Sequence, residues 1–338
     1  MSLGFGLLSA QARPGESDWS RVYDETIQIA VDAERLGYGS VWTTEHHFVD
    51  DGYMPSLMVV SAAIAAKTDR IDIGSGVLLA PLHHPLRLAE DAATVDLLSH
   101  GRLLLGLGLG WSEVEFEAMG ADMTQRGAAM EEILQILPKA WSGEPFRHQG
   151  EIYDYPELAV RPTPFGRIPI LIGGSAEPAI RRAARLADGI FSNAPVDKFL
   201  RQVEWVQDEL DKADRDPGEF RIIHYSVLFP ADSEEDAWAE GLPHMWPMMG
   251  KYSDMEASAS RPVPPPEPPP PSERAREILA GRATFAGTAQ HIVDQLNLVR
   301  ESADVDVDFV ARSYFPTMTY EQQLELLERL ATDVAPHL

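Results

Sequence analysis

Trp42-Thr43-Thr44-Glu45-His46-His47-Phe48 sits where a buried strand should stop, and its reading sets the architecture. Upstream, apolar residues between positions 27 and 36 recur at helical spacing until Gly37 and Gly39 interrupt them; Gly39-Ser40-Val41-Trp42 then reads as a short strand. Two imidazoles and a carboxylate therefore follow directly on a strand's carboxyl end. In parallel α/β folds that edge is where ligands bind and chemistry happens. Taken alone, the same histidines would also suit an ordinary surface loop.

The alternation continues on both sides of this stretch. Strand-like segments fall at residues 3–9, 39–43, 71–79, 102–107, 168–172, 189–191, 220–229 and 305–313. Helix-like segments fall at 19–36, 56–67, 86–98, 113–141, 176–186, 196–213, 288–301 and 319–334. Short βα repeats call for right-handed parallel crossovers. Eight strands so connected predict one α/β domain over residues 1–338, a closed (β/α)8 TIM-type barrel with insertions, although a doubly wound sheet obeys the same alternation.

Two stretches break the rhythm. Residues 144–164 are too rich in Pro and Tyr for helix, and 146–155 read as a hairpin insertion. Residues 232–279 carry Met245-Trp246-Pro247-Met248-Met249 and a proline run across 262–271. Polyproline lacks backbone donors and favours an extended conformation, so this segment is expected as an insertion or lid outside the core. A stiff spacer explains the run better than a docking site for a proline-reading partner. Both insertions are expected near the ligand-binding rim.

Composition narrows the function classes. The 338 residues carry a formal net charge of −25. That charge opposes nucleic-acid binding, which needs clustered Lys and Arg, and it disfavours anionic membrane surfaces. A small, weakly polar substrate suits this surface better than a polyanion. The absence of cysteine removes disulfides, thiolate nucleophiles and Cys-ligated metals. No apolar run reaches the roughly 18 residues of a membrane span. Met1-Ser2-Leu3-Gly4 leads straight into a strand-like segment without a signal peptide, so the expected compartment is the cytoplasm.

Four strand ends collect unusual residues: Glu45-His46-His47; Gly74-Ser75-Gly76-Val77, followed by Pro81-Leu82-His83-His84-Pro85; Gly106-Leu107-Gly108-Leu109-Gly110-Trp111; and Gly173-Gly174-Ser175. The last opens into a helix, whose free N–H groups and dipole suit a phosphate, with Ser175 adding a hydroxyl; a simple turn and cap would use the same residues. The glycines around Gly108 leave room for a flat ligand or for tight barrel packing. Their spacing does not fit the dinucleotide pattern G-x-G-x-x-G.

Glu45-His46-His47-Phe48, Pro85-Leu86-Arg87-Leu88-Ala89-Glu90-Asp91, Gly101-Arg102-Leu103 and Ile172-Gly173-Gly174-Ser175 together resemble the bacterial luciferase-like flavin monooxygenases, in order and in spacing. The resemblance covers residues 3–195 well and 285–335 more loosely, and the proline-rich region lies outside it. It implies a TIM-type barrel binding reduced FMN, or in a sister branch the deazaflavin coenzyme F-420, at the carboxyl ends of the strands. His46 matches the histidine beside the reactive part of the flavin and is expected to be catalytic. Gly76 and Val77 match a non-prolyl cis peptide behind the flavin ring, and Gly173, Gly174 and Ser175 match the phosphate turn. Arg126 lies near a phosphate-contacting arginine of luciferase. Where luciferase has another such arginine, this chain has Leu109 within Gly108-Leu109-Gly110-Trp111, a pattern frequent in the deazaflavin branch.

The expected function is therefore oxygenation of a small apolar or carbonyl compound by reduced FMN and oxygen, with a separate flavin reductase as partner. His46 would shuttle protons in a site that excludes water. His47 is expected to point elsewhere. Phe48 and Trp111, with Met54 and the Met-rich segment, are expected to line the substrate pocket, although such sets are commonly ordinary core. The alternative within enzymes is deazaflavin-dependent hydride transfer without oxygen. A metal-dependent barrel hydrolase using Glu45, His46, His47, His83 and His84 is disfavoured, because adjacent residues of an extended chain face opposite ways, and no metal is expected. A non-catalytic flavin-binding protein is the remaining class. The resemblance further implies a homodimer paired through helices flanking strands two to four, with Met58, Val59, Ala62 and Ala63 at the seam.

Overall fold

The computed structural model describes residues 3–257 and 272–338. Its barrel strands are β1 (Gly4–Leu8), β2 (Ser40–Thr43), β3 (Asp72–Ser75), β4 (Leu103–Gly108), β5 (Ile170–Gly173), β6 (Gly189–Ser192), β7 (Arg221–Pro230) and β8 (Asp308–Arg312). Each pairs in parallel with the next. Gly4 against Val310 and Gly6 against Arg312 join β8 back to β1, so the sheet is a closed (β/α)8 barrel and a doubly wound sheet is ruled out. All eight strands fall where the alternation places them. The predicted strand over 71–79 divides into β3 and a two-residue strand, Leu78–Leu79, that pairs with Leu107 and Gly108.

Two layers of apolar residues hold this arrangement. Leu7, Trp42, Leu104, Leu171, Phe191, Ile223 and Val310 fill the barrel interior from seven strands. Trp42 stacks on Phe191 at 4.5 Å and Phe191 on Tyr225 at 4.4 Å, contacts worth about 0.5–1.5 kcal/mol each beyond area burial. The opposite strand faces pack on the helices. α1 (Trp19–Leu36) buries Val22, Ile29, Ala30 and Ala33; Asp18 caps its start by accepting from the Arg21 N–H, and Gly37 ends it at φ 89°. α2 (Leu57–Ala65) and α3 (Pro85–Ser99) follow β2 and β3.

The helix expected over 113–141 is broken. Left-handed Gly120 (φ 70°) closes α4 (Glu113–Met119), and α5 (Arg126–Trp141) starts after a short turn capped by Asp122. The hairpin Phe146–Gln149 with Asp154–Leu158 is present. α6 (Glu177–Leu186) and α7 (Val196–Lys212) then follow β5 and β6.

The seventh connection departs most from expectation. It forms α8 (Glu234–Ala257), a helix of 24 residues that includes Pro243 and Pro247. Trp238, Leu242, Met245 and Met249 are buried in the core, whereas Pro243 is exposed. The prolines, four apart, share one face, which leaves the apolar stripe on another free to pack. α8 is thus part of the core, contrary to the expectation for this stretch of the connection. α9 (Ser272–Ala280) precedes a strand, Thr284–Gly287, paired with the distal half of β7. α10 (Ala289–Ala303) and α11 (Tyr320–Arg329) complete the helices. The proline run lies outside the described residues. No described helix is long and apolar enough to cross a membrane.

Candidate active site

The carboxyl ends of the strands surround a cavity of about 650 Å³. Its lining draws on every barrel strand or the loop that follows it, from Leu7 on β1 through His46, Val77, Gly108, Gly173 and Phe191 to Tyr225 and Arg312. That volume falls within the usual range for a bound cofactor or small ligand.

His46 follows β2 by three residues. The Thr44 N–H donates to Leu8 and the His46 N–H to Met54, so backbone on both sides fixes the loop. The imidazole is 4% exposed and meets the rings of Tyr53, Trp111 and Tyr252 edge-on at 4.9, 5.6 and 5.7 Å. Nδ1 lies 3.0 Å from Oε1 of Glu115, a 1% exposed residue of α4 whose same oxygen accepts the His47 N–H at 2.8 Å. A carboxylate accepts, so Nδ1 carries the proton in this pair and Nε2 remains for a ligand.

Glu45 faces another way. Its buried carboxylate accepts the Leu79 N–H at 2.6 Å, lies 3.0 Å from His83 Nε2 and 3.4 Å from His47 Nε2. Burial pushes this carboxyl up, but the neighbouring His47 and His83 imidazoles and the Leu79 N–H outweigh burial and hold it at about 2. Burial pulls His83 down, and its bond to Glu45 raises it further than burial lowers it. Glu45, His47 and His83 bring one ligand-type atom each within 4.8 Å of one another, and only Glu45 of the three lines the cavity. His46 stands apart on Glu115, and His84 lies against Tyr155. His47 points away from the cavity, as its position next to His46 requires.

Val77 forms the cavity floor. The Gly76–Val77 peptide is cis, as the resemblance implies, and a second non-prolyl cis peptide, Gly6–Leu7, was not anticipated. A Cβ on Gly108 would stand 2.4 Å from Val77 Cγ2, and one on Gly173 would stand 2.5 Å from Cγ1. Both glycines are therefore needed for the close approach of Val77.

Gly173, Gly174 and Ser175 lead from β5 to α6, and Ala176 supplies no side-chain cap to the first N–H groups of that helix. Uncapped donors and a positive helix end facing a cavity suit an anion. The glycine-backed floor and this turn together fit a flat ring carrying a phosphate.

Most expected site residues meet here: His46, Gly76, Val77, Gly108, Trp111, Gly173, Gly174 and Ser175 all line the cavity. Phe48 does not. Its backbone is left-handed at φ 59°, which turns the chain, and its ring is 62% exposed beside His47. Arg126 is also outside; its guanidinium donates to the Met123 carbonyl in its own turn. Met54 is core, and Met249 represents the Met-rich segment in the lining. None of residues 144–164 reaches the cavity, whereas the 232–279 connection contributes Met249 and Tyr252, with Arg282 just beyond it.

Sequence reasoning missed Glu115, Tyr252, Arg282 and Arg312. Arg312 alone left a signal, as a charged residue closing an apolar strand, Phe309-Val310-Ala311-Arg312.

The family described as luciferase-like monooxygenase matches residues 2–306. The oxygenase component of a flavin-dependent trigonelline monooxygenase from Acinetobacter baylyi is 25% identical over 333 residues, 94% of this chain and 90% of that one. An F420-dependent glucose-6-phosphate dehydrogenase from Nakamurella multipartita is 30% identical over 62% of this chain and 65% of its own. Among solved structures, the oxygenating constituent of 3,6-diketocamphane monooxygenase from Pseudomonas putida, in complex with FMN, superposes with a TM-score of 0.78 at 22% identity, covering 99% of this chain and 98% of that one.

Proposed function

The chain belongs to the luciferase-like monooxygenase family, and from that premise we propose that it oxygenates a small organic substrate with reduced FMN, delivered by a separate reductase. It is an oxidoreductase whose cofactor is a flavin or a deazaflavin. The observation that carries the monooxygenase reading is His46, buried at the cavity wall with Nδ1 on Glu115 and with no hydrogen bond to Nε2 among the described residues. When bound, reduced FMN supplies two electrons to dioxygen, so that one oxygen atom enters the substrate and the other leaves as water.

The residues of the chain do the rest. Gly173, Gly174, Ser175 and the first N–H groups of α6 would hold the phosphate, with Arg282 at the same cavity as a cation for it. Val77 would support the cofactor's ring. Glu115 holds the Nδ1 proton of His46 in place, so Nε2 gives or takes a proton at the reacting centre. Trp111, Tyr53, Tyr225 and Tyr252 restrict water around it. Met58, Val59, Ala62 and Ala63 on α2 form the dimer seam of this proposal, and Val59 is 70% exposed there.

Deazaflavin-dependent hydride transfer is the second reading, favoured by the 30% identity to an F420-dependent relative. Titrating the full chain with oxidised FMN and with the deazaflavin coenzyme, followed by fluorescence quenching, separates the two. Tight binding of FMN, with oxygen uptake when a flavin reductase is added, is the expected result. Binding of the deazaflavin alone moves the chain to the second reading.

A further inference from the structure

Arg312 ends β8 with only 8% of its surface exposed, and it lines the active-site cavity. Two other arginines with little exposed side chain, Arg102 and Arg181, show the usual arrangement. Arg102 donates to five acceptors, and Arg181 meets Glu177, Asp208 and Glu209. Arg312 has no carboxylate within ion-pair distance and no hydrogen-bond acceptor among the described residues; its contact is the Tyr252 ring, 5.1 Å from the guanidinium carbon. The nearby phenols do not neutralise it. Burial pushes Tyr225 up to about 12 and Tyr53 well above its usual range, so both are uncharged at neutral pH.

A buried charge without a partner is costly, and removing it commonly stabilises a fold. Its position at the site fits a ligand that brings the missing negative charge. That ligand is distinct from the cofactor phosphate, since the phosphate turn follows β5, and β6 and β7 lie between it and β8. Arg312 instead adjoins His46 through Tyr252, whose ring contacts both. The surrounding lining is flat and aromatic: Phe191, Tyr225 and Trp111. On a chain of net charge −25, an anion needs such a local cation to be held at all.

We propose that Arg312 receives the carboxylate of the substrate, which is a small aromatic acid whose ring lies among Tyr225, Phe191 and Trp111 within reach of His46. This rests on the reading of the cavity as a flavin-dependent active site, and it revises the apolar or carbonyl substrate expected from surface charge. A guanidinium fork binds a carboxylate through two parallel hydrogen bonds, which fixes the ring's orientation as well as its affinity.

The test is calorimetric titration of the full chain with benzoate and 2-naphthoate, each against its amide, with and without oxidised FMN, together with anaerobic titration of wild type and Arg312→Gln with reduced FMN. At least one acid is expected to bind about 30-fold or more tightly than its amide. Arg312→Gln should abolish that preference, and Arg312→Lys should keep part of it. The ligand-free Arg312→Gln protein should melt no lower than wild type, whereas a structural arginine would leave it less stable. Acids that bind no better than their amides overturn the proposal. So does an Arg312→Gln variant that keeps the preference and loses affinity for reduced FMN alone, which would assign Arg312 to the reduced flavin. If FMN fails to bind while the Arg312-dependent preference persists, the cofactor reading falls and the carboxylate site stands.

Discussion

Gly108→Ala is predicted to weaken FMN binding by displacing Val77, and a second substitution should reverse the effect. The new methyl would stand 2.4 Å from Val77 Cγ2, against an ordinary carbon contact of about 3.5–4.0 Å. Gly108 cannot retreat, because Leu79 pairs with it and the preceding residues of β4 pair with β5. Val77 cannot turn aside either: it is β-branched, and its Cγ1 already occupies the space over Gly173. The open direction is into the cavity, where the flavin ring would lie. Overpacking of this kind costs about 1–3 kcal/mol, which as binding energy is roughly a 5- to 150-fold loss. Fluorescence titration with oxidised FMN measures that loss, and calorimetry should show Tm lower by a few degrees. In Val77→Ala/Gly108→Ala the added methyl takes the place of the one removed, so affinity should return, with a coupling energy of about 1–3 kcal/mol. Gly127→Ala, whose Cβ would meet nothing nearer than 3.5 Å, is the control and should be neutral or stabilising. Wild-type affinity in Gly108→Ala, or losses that simply add in the double variant, would refute the reasoning.

Three further outcomes are expected. His46→Ala should slow turnover about 10²–10⁴-fold with FMN affinity unchanged, and Glu115→Gln about 10- to 150-fold, since a hydrogen bond to a charged group is worth about 1.5–3 kcal/mol; joining the two substitutions should add little to His46→Ala, and full additivity in kcat would count against a shared role. Glu45, held at about 2 against an ordinary 4.5, contributes stability that is present above pH 4.5 and lost as pH falls towards 2, on the order of 3 kcal/mol. His83, raised above 6.5, contributes below that pH and loses its contribution as pH climbs through its folded value, so melting curves of Glu45→Gln should lack both slopes; curves parallel to wild type would disprove the pairing. Arg102→Lys should cost about 2–4 kcal/mol, because an ammonium cannot reach Ser99, Thr68, Ile71 and Ala65 together, and an unchanged urea midpoint would contradict this.

The sequence by itself determined the eightfold alternation of strand and helix and the frame of the site, while closure of that alternation into a barrel was decided by the pairing of β8 with β1. Apolar periodicities of two and of three to four are properties of neighbouring residues, so all eight strands and most helices could be read from them. His46, Gly173, Gly174 and Ser175 were legible for the same reason, since a strand's carboxyl end puts such residues at the ligand edge whatever surrounds them. Only the tertiary structure decided what those residues touch. Glu115 meets His46 across 69 residues of chain and His83 meets Glu45 across 38, and nothing in a first-turn glutamate or a loop histidine announces such a partner. The backbone turn at Phe48 and the local hydrogen bond of Arg126 moved both out of the site they were expected to share. The proline run over 262–271 suggested an insertion or lid for the whole connection, yet in α8 the two prolines occupy one face while Leu242 and Met245 pack on another, a helix sustained by burial against the barrel. Arg312 ends a strand as visibly as His46 follows one, but that it lacks a counter-charge depends on every element around it, and closure of β8 onto β1 is what sets it beside Tyr252 and the cavity.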